Sequence, residues 1–164
     1  MKSGITAIGT LALLAACTTV GHPYLFPKDP EPSAELRIQG TDVYLLTLSE
    51  KGCYTGKTEI DGGPGAMPVK VVPDKPLVIS YEKNACLLTV KFSPKKDAHY
   101  WLVATEGRKP LDPDASFFSS LMHVHDRECD VGVAELDNEG HPLTPVKLTA
   151  LSPRQTGLTC IRFQ

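Results

Sequence analysis

The sequence predicts a mainly-β domain, a small antiparallel β-sandwich or barrel of about eight or nine strands, with one short helix in a connecting loop. Three observations lead there. Apolar and β-branched residues recur in short runs with period two, the spacing that puts alternate side chains on opposite faces of a strand. Turn residues separate those runs at intervals of about eight to twelve, supplied by 13 glycines and 14 prolines. Finally, Cys53, Cys86, Cys129 and Cys160 are spread through the β-patterned region, an even number suited to a small exported domain held by disulfides. With 164 residues, 41% hydrophobic and 22% charged, the chain has room for one ordinary domain and a near-average globular composition.

The candidate strands, in order, are Glu35–Gln39, Asp42–Leu48, Val69–Val72, Leu77–Glu82, Ala85–Phe92, His99–Thr105, Glu128–Leu136, Pro145–Ala150 and Leu158–Phe163. Cys86, Leu88, Val90 and Phe92 share one face, and Leu87, Thr89 and Lys91 the other. Cys129, Val131 and Val133 align opposite Asp130 and Gly132, and Val146, Leu148 and Ala150 alternate with Lys147 and Thr149. Asp137-Asn138-Glu139-Gly140 supplies turn chemistry, so Glu128 to Ala150 reads as a hairpin. The helix is expected from Asp112 to Met122, where an N-cap aspartate precedes Pro113 at the first helical position. Phe117 with Leu121, and Phe118 with Met122, stand four apart on neighbouring faces.

Ahead of this domain lie two segments of different character. Residues 1–16 carry one charge, Lys2, then an apolar stretch from Ile5 to Leu14. Ten residues rise about 15 Å as a helix, half of a hydrocarbon core of about 30 Å, so the stretch is a signal sequence rather than a membrane span. It ends in Leu14-Ala15-Ala16-Cys17, an aliphatic residue, two small residues and a cysteine, which resembles the lipobox of bacterial lipoproteins. The resemblance covers about seventeen residues at one end and leaves the mature domain unassigned. It implies cleavage before Cys17, a diacylglyceryl group on its sulfur, an acylated amino terminus and a palmitate-type membrane anchor. Thr18 rather than aspartate after the cysteine implies, under enterobacteria-like sorting, an outer-membrane location with the domain facing the periplasm. Residues 17–34 form the lipidated cysteine and a proline-rich tether. Pro23, Pro27, Pro30 and Pro32 keep it out of helices and central strands, and as polyproline II it could reach roughly 50 Å. Tyr24-Leu25-Phe26 is unusual for a spacer and is expected to pack on the domain or the lipid surface, or to serve as a docking peptide. The disulfide-bonded β domain then runs from 35 to 164.

The four mature cysteines allow three connectivities. Cys53–Cys86 and Cys129–Cys160 are favoured, because Cys86 and Cys129 sit on apolar strand faces and both loops stay short. Spacings of 33, 43 and 31 contain no Cys-x-x-Cys pair to begin a zinc site.

Chemistry-bearing motifs are sparse. There is no Gly-x-Ser-x-Gly elbow, no His-Glu-x-x-His and no P-loop, and Asp61-Gly62-Gly63-Pro64-Gly65 lacks the lysine and strand-to-helix setting of a phosphate cradle and reads as a turn. In His123-Val124-His125-Asp126, two imidazoles two residues apart on an extended chain fall about 6–7 Å apart on one side, which makes His123 and His125 weak candidates for metal ligands. A third ligand could come from His99 or His141, though nothing in the sequence places either nearby. Tyr100 and Trp101 open a strand and read as core and rim residues, with a ligand platform as the alternative. No catalytic residue and no cofactor is assigned.

The formal charge is −2, or −3 once Lys2 is removed. Without a basic stripe the chain is not expected to bind nucleic acid. The expected function is that of a membrane-anchored, non-enzymatic binding or assembly module with an envelope protein partner. Phe118 and Met122 are the candidate partner surface, as an exposed aromatic beside a flexible thioether. A small metal-dependent periplasmic hydrolase using His123 and His125, or an inhibitor of a wall-degrading enzyme, are the alternatives.

Overall fold

The computed structural model of the protein describes residues 21–63, 65–84, 86–108 and 127–164. They form twelve strands: β1 (Ala34–Gln39), β2 (Val43–Leu48), β3 (Tyr54–Ile60), β4 (Val69–Val71), β5 (Leu77–Lys83), β6 (Cys86–Phe92), β7 (His99–Arg108), β8 (Arg127–Leu136), β9 (Pro142–Pro145), β10 (Thr149–Leu151), β11 (Pro153–Thr156) and β12 (Cys160–Phe163). One five-stranded sheet has the order β4-β1-β7-β8-β9, a second has β10-β6-β5-β2-β3, and β11 and β12 form a separate hairpin. Neither large sheet closes on itself, so of the two expected architectures the sandwich is the one formed. The described residues contain no helix. The predicted helix over 112–122, with Phe118 and Met122, lies outside the described residues, as do His123, His125 and Cys17, the residue expected to carry lipid.

The core lies between the two inner faces. Leu36, Val43, Leu45, Val71, Ile79 and Leu102, from five strands and both sheets, are fully buried there. Alternation accounts for most of this: Leu36 and Ile38 point inward from β1 while Glu35, Arg37 and Gln39 do not. β2 is apolar on both faces, and its second face is also covered. Leu46 joins Val78 and Leu151 in a smaller cluster packed by Tyr44, Leu48, Tyr54 and Phe163, the last from the β11–β12 hairpin.

Eight of the nine expected strands are present within a few residues of their expected ends. The ninth, Pro145–Ala150, divides in two. β9 pairs with β8 through Pro145 and Ala134, whereas β10 pairs with β6 in the other sheet through Ala150 and Val90. Val146 to Leu148 carry the chain between sheets, and the buried residue of β10 is Leu151, not Ala150. The hairpin at Asp137–Gly140 therefore exists with a shorter second arm. β3 and β11 are not among the strands expected from the sequence. β3 is an edge strand whose polar Lys57 and Glu59 and small Gly56 leave it with little apolar signal.

The span read as a tether lies against the domain from Gly21 onward. The His22 amide donates to Thr55 O at 2.9 Å and the Tyr24 amide to Thr58 Oγ1 at 2.7 Å, both on β3. Across the sandwich opening, the Val72 amide donates to the Tyr24 hydroxyl at 2.9 Å, and Asp29 is ion-paired with Lys70 of β4. β3 and β4 are edges of the two sheets on this side, so the proline-rich segment covers two edges that would otherwise offer unpaired backbone. Gly56 makes the approach possible, since a Cβ there would stand 2.5 Å from His22 O. Burial raises the Tyr24 phenol above its ordinary value, partly offset by the hydrogen bond from Val72.

The disulfides correct the expected pairing. They are Cys86–Cys129, with Cα atoms 5.7 Å apart, and Cys53–Cys160, at 5.1 Å. The first joins β6 in one sheet to β8 in the other. The second ties the start of β12 to the residue before β3. The sandwich sends sequence neighbours to different sheets, so the shortest loops are not the ones that close.

Candidate binding cleft

The ladder between β1 and β7 sets Arg37 directly beside Trp101, on the outer face of the sheet. Tyr100, one residue earlier, turns inward. It is 2% exposed, packs edge-on against Phe92 at 5.3 Å, and its hydroxyl accepts from the Lys95 amide at 3.0 Å. Tyr100 is thus a core residue, while Trp101 is half-buried at the rim and lines a cleft of about 550 Å³.

Two tight backbone segments shape this cleft. At the end of β1, Gly40 has φ 134° and Asp42 φ 62°, and the Gly40 amide donates to Gly62 O at 3.2 Å. A Cβ on Gly62 would lie 2.1 Å from Gly40 O, so only glycine lets the two chains meet. Beyond Gly62, Asp61 Oδ1 accepts from the Gly63 amide at 3.0 Å and the Ala66 amide donates to Gly63 O at 3.0 Å. The glycine-rich stretch is a turn, as expected, and forms one wall. Thr41 on the opposite rim accepts from Lys83 Nζ at 3.0 Å and donates to Asp42 Oδ2 at 2.7 Å.

The lining offers an indole, the Arg37 guanidinium, the Gln39 amide, the Thr41 hydroxyl and bare backbone from Gly62, Gly63 and Gly65. Of these only the guanidinium carries a formal charge. Such a set can stack on a flat ligand and hydrogen-bond its edge. It holds no acid–base pair for proton transfer. The sequence signal for this site is Trp101 itself together with the glycines at 62, 63 and 65; their meeting is a product of the β1–β7 ladder and of the Gly40–Gly62 contact.

A second cluster sits in the β8–β9 turn, where ligand-type atoms of Asp137, Glu139 and His141 all lie within 4.8 Å of one another. Asp137 Oδ1 is already used within the turn, accepting from the Glu139 amide at 2.9 Å and the His141 amide at 2.8 Å. The His141 amide, first, and the Glu139 amide hold the Asp137 carboxyl below its ordinary 3.8. A depressed carboxyl supports the turn at pH above its unfolded value and loses that support as pH falls through its folded value. In NMR titration, the Glu139 and His141 amide resonances are therefore expected to shift together with a midpoint below 3.8, and Asp137→Asn is expected to abolish the shift. A midpoint at the ordinary value would contradict the assignment.

Of the four histidines considered as metal ligands, His99 and His141 are among the described residues and His123 and His125 are not. His99 pairs across the ladder with Leu136, while Arg127 pairs with Arg108. β8 spans ten residues, about 30 Å, and His141 lies past its far end. His99 contacts Glu35 Oε2 at 3.1 Å, and His141 belongs to the turn cluster with Asp137 and Glu139.

Compared with known protein families, with characterised proteins and with solved structures, the chain finds no match. No helix among the described residues is long and apolar enough to cross a membrane.

Proposed function

We propose that this protein is an envelope lipoprotein, anchored through lipid on Cys17, whose β-sandwich is a non-enzymatic binding module. The pairing of all four mature-region cysteines carries this reading. Bonds between segments 43 and 107 residues apart belong to a chain folded in an oxidising compartment, which is where a signal sequence ending in a lipobox would deliver it. The fifth cysteine is Cys17, the lipobox residue. The cleft at Trp101 is the surface this module offers, because its groups recognise rather than transform a ligand. An outer-membrane location and an envelope protein partner belong to the same proposal.

The test is metabolic labelling. Cells expressing the full chain with labelled palmitate are expected to yield labelled protein in the membrane fraction. Cys17→Ser is expected to remove the label completely. Persistent label in that variant, or an unlabelled parent, would overturn the proposal.

A further inference from the structure

The segment that follows Cys17 positions the domain. Among the described residues His22 is the first hydrogen-bonded to the sandwich, on edge strand β3, and it stands five residues after Cys17. Five extended residues span at most about 18 Å. A lipid on Cys17 therefore keeps the β3–β4 side of the sandwich within that distance of the membrane surface, far less than the full length of the proline-rich span would allow. The side chains on this side are sorted by the extended backbone: Tyr24 turns onto the core with the Phe26 ring edge-on against it at 5.1 Å, Phe26 staying 38% exposed, and Leu25 turns outward at 81% exposure. Leu25 cannot withdraw with the tether, because the Tyr24 amide and hydroxyl and the Asp29–Lys70 pair fix the backbone on both sides of it.

Taking the lipid anchor on Cys17 as given, we infer that Leu25 and Phe26 insert into the interfacial region of the same membrane and orient the domain with its β3–β4 side toward the lipid. The charges around them do not oppose this. Lys28, Lys70 and Lys75 near them are equal in number to Asp29, Glu31 and Asp74, so these six groups carry no excess of one sign, and Leu25 with the exposed edge of Phe26 drives insertion. Leu25 also borders a shallow depression of about 270 Å³ with Leu48, Val72 and Pro76, which extends the apolar contact. The cleft at Trp101 lies on the outer face of the β4-edged sheet, over β1 and β7, with one wall from the loop that joins β3 to β4.

The experiment uses the full lipidated chain in phosphatidylcholine vesicles containing phospholipid brominated high on the acyl chain. Leu25→Trp is compared with the parent and with Leu143→Trp, an exposed position on β9 at the opposite edge of the same sheet as β4. Interfacial insertion reaches roughly 5–10 Å, so the added tryptophan of Leu25→Trp is expected to lose about half its emission, while that of Leu143→Trp keeps its own. Equal quenching at the two positions, with palmitate still incorporated, would overturn the orientation alone. Absence of palmitate from the parent would instead overturn the anchor and this inference with it. Leu25 is exposed, so the variant should melt with the parent, and a matching melting temperature checks that its fold is intact.

Discussion

Replacing Cys86 and Cys129 together by alanine is expected to destabilise the domain by about 4 kcal/mol, the chain-entropy value for a loop of this size. The loop is 43 residues long. For a domain of this size roughly 4 °C of melting temperature follows each kcal/mol, so the midpoint should fall by about 15 °C. Alanine is the informative replacement. Cys86 is only 3% exposed, and serine would add the separate cost of burying a hydroxyl. This bond also joins the two sheets, so without it the sandwich relies on apolar burial alone at the β6–β8 contact. Peptide mapping without reductant should recover Cys86 linked to Cys129 and Cys53 linked to Cys160. A fragment joining Cys53 to Cys86, or a midpoint unchanged in the double variant, would contradict this fold.

The second large effect is expected from one methyl group. In Gly62→Ala the new Cβ would lie 2.1 Å from Gly40 O and 2.6 Å from Ile38 Cγ2. Neither neighbour can give way cheaply. Gly40 is itself held against Ala104, where a Cβ would meet the carbonyl oxygen at 2.7 Å, and Ile38 is 6% exposed in the core. Relief requires parting the two chains and breaking the Gly40–Gly62 hydrogen bond, at about 3 kcal/mol, the upper part of the usual overpacking range. The same change should alter the emission of Trp101, since both residues line the cleft. Gly132→Ala is the matched control. It lies in β8 with no atom of the described residues within 4 Å of the added Cβ, and a surface change of that kind should fall within about 0.5 kcal/mol of the parent. Equal melting temperatures for the two variants would show that the Gly40–Gly62 contact is not close in solution.

Several features are legible in the amino-acid sequence, each for a local reason. Period two in segments such as 86–92 and 129–133 is a property of the strand itself, so the inward residues Cys86, Val90, Phe92, Val131 and Val133 can be named directly. The Asp137–Gly140 turn is legible because its own residues supply the capping carboxylate and the left-handed glycine. β3 is not. An edge strand covered by a neighbouring segment needs little apolar surface of its own, and Tyr54–Ile60 shows little. Pro145–Ala150 resembles one strand because alternation carries no information about which sheet a residue joins.

By itself the sequence determined the fold class, most strand positions and the even set of four cysteines in the β-patterned region. All of these follow from side-chain period, turn chemistry and residue type, which act over a few residues. The tertiary structure alone decided an open sandwich over a barrel, the pairing of Cys86 with Cys129 and of Cys53 with Cys160, the docking of 21–33 across β3 and β4, and the meeting of Arg37, Trp101 and the Gly62 loop. Each of these joins residues far apart in the chain. Their proximity depends on which sheet each strand enters, and that is settled by how the two inner faces fill their shared core rather than by any segment's own preference.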